Sequence, residues 1–105
     1  MLNNTLSNSG AKTFKTCTSV KSSLVANQAK VLLNENVNRT YALIQNISSV
    51  SVTLILGNTN SATLGKGITL LPYGSYQIAA NNLYVGVVSA MAASAAELAH
   101  LECVE

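Results

Sequence analysis

The sequence predicts an all-β fold: a small antiparallel β-sandwich of about seven strands with an extended N-terminal arm. Three observations predict it. Between residues 24 and 104, apolar side chains recur with period two in short runs, and clusters of Asn, Ser, Gly and Pro interrupt those runs. Val, Ile, Thr and Tyr crowd the runs, as half-buried pleated surfaces favour. A chain of 105 residues makes one domain with one modest core.

Residues 1–23 are dominated by Asn, Ser, Thr and Lys, and their isolated Leu2, Leu6, Phe14 and Val20 follow neither a strand nor a helix period. This segment is the expected arm, either simply flexible or ordered by a partner. Phe14, the only Phe, is its candidate anchor. Residues 24–105 are the expected sandwich domain. Within residues 24–33, LVANQAKVLL, the second half reads as a strand; a short helix over 22–33 competes on propensity, but a dozen residues make a marginal helix without packing. Residues 34–38, NENVN, form a loop.

The stretch 39–57, RTYALIQNISSVSVTLILG, is the expected packing centre. Its first strand is apolar on both sides, with Ala42 and Ile44 opposite Tyr41 and Leu43, so it is either central in the sandwich or half covered by another subunit. Its second strand alternates cleanly, Val50, Val52, Leu54 and Leu56 facing the core and Ser51, Thr53 and Ile55 facing away. Residues 46–49 join the two as a hairpin, Asn46 taking either a left-handed conformation or an Asx turn. Tyr41, Leu43 and Ile55 thereby become candidate interface residues.

Residues 57–67, GNTNSATLGKG, make a loop long for a hairpin. Its glycines lack the spacing of a phosphate-binding loop, and no helical pattern follows. A strand over 67–71 turns at Pro72, Tyr73 and Gly74 into a strand over 75–79 that places Tyr76 and Ile78 on one face. Tyr73, at the turn tip, either lids the sandwich or touches a partner. Residues 83–90 form a strand with Leu83, Val85 and Val87 inward and Gly86 marking a bulge or a close approach. Residues 91–96, MAASAA, are a loop. The last strand, 97–104, alternates Ala99, Leu101 and Cys103 against Leu98, His100, Glu102 and Val104; either set can face the core, and the first is the one expected there because it leaves His100 and Glu102 in water.

Charged residues form 10% of the chain against 49% apolar ones. A surface built from Ser, Thr and Asn repels neighbours weakly, which suits a protein that works in an assembly. The six basic residues are scattered, so nucleic acid is not an expected partner. No run approaches the 18 or so apolar residues of a membrane-spanning helix, and residues 1–15 lack the apolar core of a signal peptide. Cys17 and Cys103 stand far apart without metal-ligand spacing, so neither a metal nor a cofactor is expected; a bridge between them is conceivable, but without a secretory signal reduced thiols are the expectation. His100 is the only His and the chain has no Asp. Acid–base or nucleophilic catalysis needs a positioned pair in a cleft, which one strand face does not supply, so the chain is not expected to be an enzyme.

The order Arg39, LIQN at residues 43–46, the run 52–57, GITL and PYGS within 67–75, the run 83–88 and a terminal ECVE resembles small phage virion proteins, β-sandwich modules that decorate or cement capsids or recur in tails and fibres. The resemblance covers roughly the last two-thirds of the chain and rests on the order of individually weak motifs. It implies a virion protein on the outer capsid surface, made in the host cytoplasm. Its partner would be the major capsid protein, bridged by a homo-oligomer, a trimer above all. The alternative it implies is a tail or fibre module that binds a host receptor or glycan, with residues 57–67 and Tyr73 as the recognition surface.

Overall fold

A computed structural model describes residues 15–105. Eight strands follow in order: β1 (Thr16–Leu24), β2 (Lys30–Leu33), β3 (Arg39–Asn46), β4 (Val52–Leu56), β5 (Ile68–Leu70), β6 (Ser75–Ile78), β7 (Val88–Met91) and β8 (Ala96–Val104). They form two four-stranded antiparallel sheets with the orders β1-β8-β3-β6 and β2-β7-β4-β5. Every connection except β4–β5 crosses from one sheet to the other. Two sheets of four strands interleaved in this order are an eight-stranded jelly roll, a sandwich in which both sheets share one core. The predicted all-β sandwich is therefore the observed one, with one strand more than expected.

The extra strand lies where the arm was expected. Thr16–Leu24 pairs with β8 along its whole length, although its first six residues are exposed. Weak apolar periodicity hid the strand, because ladder hydrogen bonds hold this half and burial does not. Residues 1–14, including Phe14, lie outside the described residues. The register of β1 on β8 sets Cys17 directly opposite Cys103, and the two are joined by a disulfide. The expectation of reduced thiols is thus corrected by geometry, since strand pairing brings together side chains 86 positions apart.

The expected hairpin over residues 39–57 is also corrected. β3 and β4 belong to different sheets, and residues 47–51 are a corner that carries the chain across the core. Asn46 builds that corner. Its buried side chain accepts from the Ser48 N–H and hydroxyl, the Asx-turn option, and donates to the carbonyls of Val50, Leu70 and Leu71. One amide thus ties this corner to the turn after β5, and a buried amide with its groups satisfied specifies such a junction.

The core gathers Ala42 and Ile44 of β3, Val52 and Leu54 of β4, Ile78 of β6, Val88 and Ala90 of β7 and Leu98 of β8, with Leu24, Leu32, Leu33 and Leu70 around them. Val52 and Leu54 face it as expected, whereas Leu56, the last residue of β4 and paired with Val88, is exposed. On β8 the expected faces are exchanged: Leu98 and His100 point inward, while Ala99 and Leu101 are only half-buried on the outer side. The expected strand over 83–90 shortens to Val88–Met91. The carbonyls of Tyr84 and Gly86 are taken by the Arg39 guanidinium instead of a ladder, and Leu83 is left exposed. A side chain on Gly86 would meet the Tyr84 ring, so this glycine marks a close approach.

Candidate interaction surface

Strand direction sorts the connections onto two ends. Residues 25–29, 47–51, 71–74 and 92–95 lie at one end, tied in two pairs: the Asn27 N–H to Ala92 carbonyl bond joins the first connection to the last, and the Asn46 N–H to Gly74 carbonyl bond joins the other two. Residues 34–38, 57–67 and 79–87 lie at the other, with the start of β1 and the end of β8; the Asn36 N–H to Val85 carbonyl and Ser89 hydroxyl to Gly57 carbonyl bonds join them. The 57–67 loop and Tyr73 are consequently at opposite ends, which corrects the expectation that they form one recognition surface.

Of the five candidate interface residues, the structure brings two together. Tyr41 and Leu43 stand side by side on the outer face of the β1-β8-β3-β6 sheet, both half-buried. Leu43 joins Ala99, Leu101, Ser19, Lys21 and Gln45 around a shallow depression of about 380 Å³. The Tyr41 hydroxyl bonds the Gln77 side chain at 3.1 Å, and Lys21 pairs with Glu97 at 3.0 Å on the rim. The face is thus apolar in its middle and neutral in sum at its edge.

Ile55 is not part of any open surface, being 6% exposed. The 57–67 loop folds back over the outer side of β4: the Gly65 N–H donates to the Thr53 hydroxyl at 3.1 Å. Gly67 lies so close that a Cβ would come within 2.3 Å of the Leu54 carbonyl oxygen. The apolar second face of β4 is therefore covered by the chain's own loop, and Ile55 as an intermolecular contact is corrected accordingly. Tyr73 stands at the end opposite the 57–67 loop, apart from the other candidate interface residues, 65% exposed, with φ of 63°.

Two buried polar groups escaped sequence reasoning. Arg39, fully buried, donates from Nε to Glu102 at 2.6 Å and from its two terminal nitrogens to the carbonyls of Tyr84, Gly86 and Asn34. It clasps two loops to β3 and β8, and a planar fork with five donors is the side chain able to do so. His100, 6% exposed, has Nε2 2.9 Å from the Ser22 hydroxyl. Burial pushes its pKa below the ordinary value, Lys30 adds to that push, and Glu102 opposes it. The neutral imidazole is a satisfied core group. An Arg opening a strand was the signal for the first. The alternation of β8 allowed the second without selecting it, since either set of that strand could face the core.

The sequence matches no protein-family model and no curated protein sequence. Its fold is found elsewhere. Part of the stem and receptor-binding domain of spike protein P1 from bacteriophage PM2 superposes on 79% of the chain with a TM-score of 0.56 at 21% identity. The chain spans 31% of that protein. A solved structure of Bacillus endospore appendages, described as disulfide-linked pili, overlaps 90% of this chain and 92% of its own at 14% identity, with a TM-score of 0.45.

Proposed function

We propose that this chain is a structural module of a bacteriophage particle, a small jelly roll that binds the outer capsid surface and bridges major capsid proteins without a catalytic step. The observation that carries the reading is the outer face of the β1-β8-β3-β6 sheet. Its middle is apolar around Leu43, Ala99 and Leu101, where a solitary sandwich presents a polar side to water. A face of this kind in a protein with 10% charged residues suits a permanent contact between subunits, and a homotrimer closed through it is the oligomer we favour. The order of motifs, which resembles that of small phage virion proteins, and the likeness of the fold to part of a phage spike both support a particle component.

Cryo-electron microscopy of the particle tests this directly, with the chain expected on the head at sites between major capsid proteins. Deleting residues 1–14 is expected to weaken capsid binding while leaving the sandwich folded. A deletion running to residue 23 would remove β1 and Cys17 and so report on folding instead. A second reading, a spike or tail module that touches the host, is favoured by the exposed Tyr73; finding the chain on the tail or the spike would replace the first reading by the second.

A further inference from the structure

The loop end that carries Tyr73 has no charged residue. Residues 25–29 (VANQA), 47–51 (ISSVS), 71–74 (LPYG) and 92–95 (AASA) contain neither acid nor base, while the opposite end holds Glu35, Arg39, Lys66, Glu102 and Glu105. The cations bordering the uncharged end along the chain are engaged, Lys21 with Glu97 and Lys30 with the Ser23 carbonyl. Val25, Leu71 and Tyr73 protrude from it, each 60% exposed or more. Asn27 and Tyr73, the only non-glycine residues with positive φ among the described residues, both lie here. Tyr73 is held in that conformation by a built turn. Pro72 presets the preceding backbone, the Gly74 N–H bonds the Leu71 carbonyl at 2.8 Å, and Asn46 clamps the Leu70 and Leu71 carbonyls from below. A bulky residue kept in the left-handed region is costly where glycine would serve the turn at no steric cost.

We propose that this end is a binding site for an uncharged oligosaccharide laid across it, with the Tyr73 ring at the β5–β6 edge as the stacking platform, the exposed Ser49 of the adjoining β3–β4 connection beside it, and the exposed Ser94, Asn27 and Gln28 toward the β1–β2 edge meeting the hydroxyls of further sugar units. Size and charge select this ligand. The molecule measures 53 × 25 × 20 Å, and sheets of four strands at about 4.8 Å spacing occupy the short dimensions. The loop end therefore offers roughly 500 Å², below the roughly 800 Å² that each partner contributes to a stable protein interface. An aromatic ring presents an apolar face to the C–H side of one pyranose, while hydroxyls and amides farther along the end satisfy O–H groups of the units that follow it. Sialylated or sulfated sugars would call for Arg or Lys, and the end supplies none. The site faces away from the start of β1 and the end of β8, so it stays accessible in a module anchored at those points.

The inference depends on the particle reading only for where the sugar is met, and the two are tested apart. Full-length protein displayed on streptavidin, to give the multivalency a weak single site needs, is applied to an array of neutral and anionic glycans. Selective signal on neutral glycans is expected, kept in Tyr73→Phe and reduced at least tenfold in Tyr73→Gly. The glycine variant is also expected to melt a few degrees higher, because it relieves the left-handed backbone; a Tyr73 that merely lids the sandwich would lower the melting temperature when removed. Three results would overturn the site: no neutral-glycan signal from the wild type, signal confined to anionic glycans, or equal signal in Tyr73→Gly. Association of copies that Tyr73→Gly abolishes, without glycan binding, would reassign the end to contact between copies. Glycan binding by a protein absent from the particle would retain the site and remove the particle reading.

Discussion

His100 converts burial into pH dependence. Its folded pKa lies below the ordinary value because the core disfavours the imidazolium and Lys30 repels it, with Glu102 partly offsetting both. The unfolded chain binds the proton more readily. Stability contributed by the neutral ring is therefore fully present above the unfolded pKa, about 6.5, and is lost as pH falls through the lowered folded value. Melting temperature measured from pH 8 to pH 5 is expected to stay level above about 6.5 and to decline below it, with His100→Gln flattening the decline. Arg39 is the costlier residue to change. Replacing it by Ala leaves Glu102 without its cation and three carbonyls without their donor, and breaking a buried pair from one side costs about 3–5 kcal/mol. Urea denaturation should report that loss, with Arg39→Lys intermediate because an ammonium cannot span the same four acceptors.

At the scale of elements, β1 is the strand held least by the core. Its first six residues are exposed, so the ladder to β8 and the Cys17–Cys103 bond are what keep them in place. A crosslink closing so long a loop contributes about 4–5 kcal/mol by restricting the unfolded chain, less any strain. Reduction, or Cys17→Ser with Cys103→Ser, is expected to lower stability by about 2–4 kcal/mol. Hydrogen exchange should then show amides of residues 16–21 opening well before those of residues 22–24, whose Ser22 and Leu24 are buried. Equal protection across β1 would show the ladder sufficient by itself. The same strand shows where sequence reasoning reached and where it stopped. Arg39–Asn46 and Ala96–Val104 were legible almost to the residue, because a buried face imposes period two, and the turn at Pro72 was legible from its chemistry. β1 was not, since Thr, Ser and Lys at exposed positions carry no period. The pairing of β3 and β4 was misread because alternation assigns faces within a strand and says nothing about which sheet the strand joins. Ile55 looked like an interface residue for a related reason: the loop that covers it packs through glycines, which leave no apolar signature.

For the whole molecule, the outer face of the β1-β8-β3-β6 sheet is the surface to which the proposed subunit contact is assigned, and the uncharged loop end the surface to which the proposed sugar contact is assigned. Tyr41 and Leu43 were legible as an apolar second face, but Ala99 and Leu101 beside them were expected in the core, and only the register of β8 between β1 and β3 brings the four together. Because Leu43 and Leu101 are half-buried and point away from the core, a lysine at either can extend its ammonium into water along the sheet. In an isolated sandwich the substitutions are then close to neutral, as outward surface changes usually stay within about 0.5 kcal/mol. In an oligomer closed through this face, each lysine is repeated by symmetry and buried against an apolar partner without a counter-charge, which costs far more than the contact gains. Leu43→Lys with Leu101→Lys is accordingly expected to leave the melting temperature of the monomer nearly unchanged and to shift sedimentation from oligomer to monomer. Loss of the fold would show that the face belongs to the core of a single chain, and an oligomer that survives both lysines would place the contact on another face of the jelly roll.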